Sequence, residues 1–124
     1  MLSEVCQTLQ NSNVRSSLFL DVFTHTSLQQ KSLEKISPDR IELYTEKYAR
    51  DESTIATYKK IAEEISGLGI GINAGHDLNT LNLKKLVAEI PAIKEVSIGH
   101  ALITESLYDG FTKVIATYHE ILGY

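Results

Sequence analysis

The chain has 124 residues, a formal net charge of -4 and 43% hydrophobic content, enough for one globular domain with its own core. Only 12 lysines and arginines are present, so no basic stripe can neutralise many phosphates, and no nucleic-acid partner is expected. The apolar runs are far shorter than the roughly 20 residues that cross a bilayer, while a lone Cys6 and a start without a signal-peptide pattern point to a reducing, cytoplasmic setting with no membrane span.

Leu2, Val5 and Leu9 share a helical phase, and Ser17 to Asp21 is then a compact apolar run that predicts a buried strand. Thr26 or Ser27 can cap a helix through Leu28, Leu33 and Ile36, closed by Pro38, which disfavours helical geometry in the residue before it. A strand over Arg40 to Tyr44 follows. Asp51 or Ser53 can cap the next helix, where Ile55, Tyr58, Ile61, Ala62 and Ile65 recur at spacings of three and four. Gly67 and Gly69 end it through the left-handed geometry that glycine tolerates. Ile70 to Ala74 predicts a third strand. Asn79 or Thr80 opens a helix through Leu83, Leu86, Val87 and Ile90, which Pro91 stops. Glu95 to Ile98 predicts a fourth strand, and one long final helix carries Leu102, Leu107, Phe111, Val114, Ile115, Tyr118, Ile121 and Leu122.

A helix followed by four strand-helix units predicts an α/β fold with a parallel sheet covered by helices. An eight-unit barrel needs about 250 residues, so the pattern amounts to about half of a TIM barrel. No linker, low-complexity tract or repeat interrupts it, and residues 1–124 read as a single half-barrel domain. Its first and last strands would leave open backbone edges, an aggregation hazard. A second copy related by a two-fold axis, a separately encoded N-terminal half, a flattened open sheet or helix swapping would each resolve this.

Two segments run from a strand signal into a helix start: Ile72-Asn73-Ala74-Gly75-His76-Asp77-Leu78-Asn79 and Val96-Ser97-Ile98-Gly99-His100-Ala101-Leu102. Ligands gather where parallel strands end. His76 offers an imidazole suited to proton exchange near neutral pH, with Gly75 leaving room for substrate at the backbone; it equally fits a loop or helix cap completed by Asp77 and Asn79. Glu42 alternates with Ile41 and Leu43, so an apolar pair facing the helices turns Arg40, Glu42 and Tyr44 toward a barrel interior. There Glu42 is either functional or an internal partner of Arg40. Gly99 and His100 mark a helix start whose free amides attract a phosphate dianion, or a tight turn that needs glycine only for packing. His25 and His119 fit exposed or capping roles, and Cys6 has no neighbouring histidine to activate it. No His-Glu-x-x-His, Cys-x-x-Cys or glycine-lysine phosphate loop occurs, so neither a metal nor a cofactor is expected.

Together with Arg40-Ile41-Glu42-Leu43-Tyr44-Thr45 and Tyr48-Ala49, these segments resemble the C-terminal half of the pyridoxine 5′-phosphate synthase family, in one order from about Ser17 to about Tyr118. No counterpart of the family's first half is present. The resemblance implies phosphorylated small-molecule substrates and the condensation of 1-deoxyxylulose 5-phosphate with 3-amino-2-oxopropyl phosphate, which releases phosphate and water. It implies proton donation by His76, transition-state stabilisation by Glu42, and substrate phosphate held at Gly99 and His100. Asp77 stands where the family carries a glycine that touches substrate, so it joins the binding set while bringing a carboxylate that can repel phosphate. The family usually has histidine at Tyr44, glycine at Glu46 and a basic residue at Glu105, so the local field here is less positive. Further acid-base residues belong to the family's first half. Two readings of function stand on this basis: a synthase incomplete as a single chain, completed as a homo-oligomer or by a complementary N-terminal half, and a non-catalytic phosphate-binding or assembly protein derived from that family.

Overall fold

The computed structural model describes the backbone of residues 1–124 and the side chains of all but residues 27 and 28. Four strands, β1 (Ser17–Leu20), β2 (Arg40–Tyr44), β3 (Gly71–Gly75) and β4 (Ile93–Ser97), form one parallel sheet in sequence order. Helices α1 (Leu2–Asn11) and α2 (Ser27–Ile36) flank β1, and α3 (Glu46–Arg50) and α4 (Ile55–Ser66) link β2 to β3. Helix α5 (Leu83–Glu89) precedes β4, and α6 (His100–Asp109) and α7 (Phe111–Leu122) close the chain. Parallel neighbours joined by helical crossovers make this part of a TIM-barrel arrangement, with the sheet unclosed.

Strand alternation decides which face carries the core. Ile41 and Leu43 of β2 and Ile72 and Ala74 of β3 are completely buried beneath Tyr58, Ile61 and Ile65 of α4 and Leu83 and Leu86 of α5. Each large aliphatic side chain so buried contributes about 1.5–3 kcal/mol. The expected stripe of α4 is buried as the spacing predicts, with Ile55 packed at its margin. Arg40, Glu42 and Tyr44 take the opposite face, where Phe19 is 56% exposed. On that inner face Arg15 reaches from the approach to β1 to Glu95 of β4, at 2.7 and 3.0 Å, and Glu95 also accepts from Asn73 Nδ2 at 3.3 Å. A polar clasp therefore spans the hollow of the sheet.

Local signals place most element ends. Thr26 caps α2 by accepting from the Gln29 amide, and the Gln29 side chain accepts from the Thr26 amide at 2.7 Å. The expectation that Leu28 joins the core lies outside the described residues. Ahead of Pro38, Ser37 leaves the helical region at φ 49 and α2 stops. Asp51 accepts from the Ser53 amide at 3.0 Å and starts a 3-10 turn (Glu52–Thr54) that feeds α4.

Several expected boundaries differ. The single long final helix is two helices, because Gly110 adopts φ 84 and ψ 143, which no α-helix accommodates; α7 then folds back onto α6, burying Ser106, Val114 and Tyr118. Helix α5 starts at Leu83 rather than at Asn79 or Thr80, since Asn79 Oδ1 accepts from the Leu81 and Asn82 amides and closes a side-chain turn instead. Strand β4 begins two residues early, at Ile93, with a bulge that lets Ile72 face Ile93 while Asn73 faces Glu95. Only Gly69 takes the left-handed geometry after α4; Gly67 stays helical. Helix α3 has no sequence counterpart among the expected elements, and its Tyr48 is fully buried with its hydroxyl donating to the Asn82 carbonyl at 2.7 Å. Among the described residues no helix is long and apolar enough to cross a membrane.

Candidate active site

The C-terminal strand ends surround a cleft of about 690 Å³. Glu42 from β2, His76 and Asp77 after β3, and Gly99 and His100 after β4 all line it, with Leu78 and Ser97 between them. All five residues singled out in the sequence thus border one cavity, and β2, β3 and β4 each supply part of it.

Glu42 lies over Gly75 so closely that a Cβ there would collide with the carboxylate. The glycine therefore admits the neighbouring strand's acid, where the sequence reading assigned it to substrate approach. Arg40 lies in the same way over Gly71, and no ion pair joins Arg40 to Glu42. Their internal pairing, one of the two readings of Glu42, is absent, and Glu42 has no hydrogen-bond partner among the described residues.

His76 and Asp77 are consecutive non-glycine residues at positive φ, 86 and 56. Each such residue costs of order 1–3 kcal/mol and persists only where surrounding structure enforces it. Thr45, buried at the end of β2, directs its hydroxyl to the Gly75 and His76 carbonyls at 2.6 and 2.7 Å. The His76 ring stands edge-on to Tyr44 with centroids 4.5 Å apart, and to Phe19 at 5.5 Å.

Behind His76, the Tyr44 hydroxyl donates to Glu46 at 2.5 Å, and Arg50 pairs with the same carboxylate. The Tyr44 hydrogen bond, followed by the charge of Arg50, holds the Glu46 carboxyl below its usual range against the opposing effect of burial, and the same bond pushes the Tyr44 phenol up. Glu46 is therefore engaged by Tyr44 and Arg50, and it does not line the cleft. Glu105 is likewise committed elsewhere: it accepts from the Thr80 amide and hydroxyl at 3.2 and 3.0 Å and from the Tyr118 hydroxyl at 2.8 Å. That third bond and burial, burial foremost, raise the Tyr118 phenol strongly. Asp77 is thus the one substituted carboxylate that borders the cavity.

Gly99 caps α6 at φ -112, with no side-chain cap, so the first amides of the helix lack intrahelical partners and aim their dipole at the cleft edge. A Cβ built on Gly99 meets nothing within 4 Å. Neither a positive φ nor close packing demands glycine there, so the tight-turn reading loses its basis and open space beside free amides is left.

A model of the pyridoxal phosphate biosynthesis protein PdxJ family matches residues 1–123. The chain belongs to that family. It is 43% identical to a pyridoxine 5′-phosphate synthase of Flavobacterium johnsoniae, over 94% of this chain and 50% of that relative. It is 44% identical to one of Parabacteroides distasonis over 98% and 52%, and 39% identical to one of Xanthomonas axonopodis pv. citri over 98% and 49%. The chain therefore spans about half the length of the curated relatives it matches. Thr45 and Tyr44 escaped the sequence reading as site residues because their contacts to His76 cross between strands; the run of polar residues ending β2 was the available signal.

Proposed function

We propose that this chain supplies the C-terminal half of a pyridoxine 5′-phosphate synthase barrel, in which His76 donates a proton, Glu42 stabilises the transition state, and Gly99 and His100 hold a substrate phosphate. The reading is carried by the convergence of Glu42, His76 and the uncapped start of α6 on one cleft of about 690 Å³. Ring closure between 1-deoxyxylulose 5-phosphate and 3-amino-2-oxopropyl phosphate needs several proton transfers. An imidazole beside a carboxylate, with an anion held at a helix start, suits part of that chemistry. Four further strand-helix units close the two sheet edges and cover the inner face. They are the complementary N-terminal half, which also brings the remaining acid-base groups, or, in a homo-oligomer, a second copy, which closes the edges but brings only a second set of the residues already present.

A second reading, a phosphate-binding or assembly protein without turnover, is favoured by Asp77, whose carboxylate borders the cavity meant for an anion. One experiment separates the readings: the synthase assay with both phosphorylated substrates, on the chain alone and on the chain mixed with the first half of the Flavobacterium johnsoniae relative, with mass measured by light scattering. Turnover in either sample supports the synthase reading, and its mass assigns the partner. A well-formed complex that binds phosphate without turnover supports the second reading and overturns the first.

A further inference from the structure

We propose that Thr45 is a positioning residue for His76, clamping the backbone on both sides of the histidine so that its imidazole is held in register with Glu42. The Gly75 carbonyl belongs to the peptide unit before His76 and the His76 carbonyl to the unit after it. The Thr45 hydroxyl lies within hydrogen-bond distance of both, at 2.6 and 2.7 Å, and shares its single proton between them in a three-centre bond. Fixing the two peptide planes that flank one Cα fixes φ and ψ at that residue, and with them the direction of its Cα–Cβ bond.

The clamp answers a need that the sequence creates. His76 sits at φ 86 and Asp77 at φ 56, conformations that glycine adopts freely and other residues hold only under external constraint. The Thr45 amide adds a bond to the Gly75 carbonyl at 2.8 Å, the link by which β2 continues its pairing to β3. Among the described residues no other donor reaches the His76 carbonyl. Thr45 is completely buried, so water cannot replace its hydroxyl. Its neighbour completes the hold, because the Tyr44 ring stands edge-on to the imidazole and is itself anchored through Glu46.

Residues 42 to 45 therefore carry both the carboxylate proposed to act on substrate and the device that aims the histidine lining the same cleft. Displacing a reacting group by about 1 Å can lower turnover by about a hundredfold. The effect on catalysis rests on His76 being the proton donor proposed above; the effect on His76 geometry does not.

The deciding measurement is the NMR spectrum of the four imidazoles in the intact chain, with His76 assigned through His76→Asn. Thr45→Val keeps the shape and removes the hydroxyl, and it is expected to displace or split the His76 ring signals while those of His25, His100 and His119 stay unchanged. Thr45→Ser restores the hydroxyl and is expected to return the native His76 signals. Unchanged His76 signals in folded Thr45→Val overturn the proposal. So do His76 signals in Thr45→Ser displaced away from the native positions, and this second variant decides the matter if the valine protein does not fold. In the complex that turns over, Thr45→Val is expected to lower kcat about 10- to 100-fold with KM little changed. Native coupling without turnover in any assembly would sink the synthase reading alone, whereas turnover without coupling would sink the role of Thr45 alone.

Discussion

Gly99→Ala separates a glycine kept for a ligand from one kept for the fold. The added methyl meets no protein atom within 4 Å, and the backbone is already at φ -112, which alanine adopts. Alanine is a poorer helix cap than glycine by up to about 1 kcal/mol. Its stiffer unfolded chain returns about 0.4–1 kcal/mol. The unliganded variant should therefore match the parent within about 0.5 kcal/mol. A phosphate drawn to the free amides of α6 would meet the methyl directly. Displacing it weakens charge-assisted hydrogen bonds worth about 1.5–3 kcal/mol each, so a 10- to 100-fold loss of affinity is expected. At a phosphate-ester concentration 100 times the parent's Kd, the parent gains about 2.7 kcal/mol on binding, whereas the variant gains about 1.4 kcal/mol after a tenfold loss and about 0.4 after a hundredfold loss. For a chain of this size the parent's gain corresponds to a rise in Tm of roughly 10 °C, and the variant's to roughly half of that or less. Thermal melts with and without 3-amino-2-oxopropyl phosphate read both quantities. An undiminished ligand shift would move the phosphate elsewhere, and a loss above about 2 kcal/mol without ligand would make Gly99 structural.

Asp77→Gly should leave the denaturation midpoint nearly unchanged, because relief of the left-handed residue, about 1 kcal/mol, is offset by about 0.4–1 kcal/mol of added unfolded-chain entropy. Calorimetry should show phosphate binding tightened several-fold, and equal or weaker binding would clear Asp77 of repelling the ligand. Glu105→Ala strips the acceptor from the Thr80 amide and hydroxyl and from Tyr118, so urea unfolding should show a loss of about 1–3 kcal/mol. A loss of phosphate binding at unchanged stability would instead give Glu105 a direct ligand role. Acid should unfold the protein through Glu46 and Asp39. Glu46 is lowered from 4.5 chiefly by the Tyr44 hydroxyl, and Asp39 from 3.8 chiefly by the Ser16 amide. A lowered carboxylate stabilises the fold above its unfolded value and loses that stabilisation as pH falls through the folded value. Stability from urea titrations should hold at pH 5 and decline below about 4, less steeply in Glu46→Gln; an identical acid limb in that variant would remove Glu46 from the account.

Alternation of apolar runs with helical stripes made the four parallel strands legible, since strand β2 and helix α4 bury what their period predicts. Strand β1, expected to be buried, instead has Ser17 and Phe19 exposed and Leu18 and Leu20 only partly covered, because no strand pairs with its free edge among the described residues. The Gly-His pairs were legible as strand-end residues for the same reason. Helix α3 was missed because five residues carry no full apolar period, and the α6–α7 break was missed because Leu107 and Phe111 keep a spacing of four straight across Gly110. Both residues of that spacing are exposed, so the apparent stripe marks no core. The residue types of the loop after β3 fit either a proton-exchanging histidine or a polar cap, and neither reading shows that its geometry is held from β2 by Thr45, a contact between residues 31 positions apart that no local pattern encodes.

On the half-barrel reading proposed above, the inner face of the sheet gives the completing units a task beyond the open edges. Its register brings Phe19, Glu42, Asn73 and Glu95 into one row across the four strands. Arg15 and Asn73 satisfy Glu95, but Asn73 Oδ1 is buried with no donor, and Glu42 has none among the described residues. A buried acceptor without a donor costs about 1–3 kcal/mol, and a half-exposed aromatic such as Phe19 leaves apolar area in water. A barrel interior fills such a row with side chains from the facing strands. On that reading, donors directed at Asn73 and Glu42 and an apolar surface against Phe19 are what the proposed completing half is expected to present, and they would set Glu42 in place as the barrel closes.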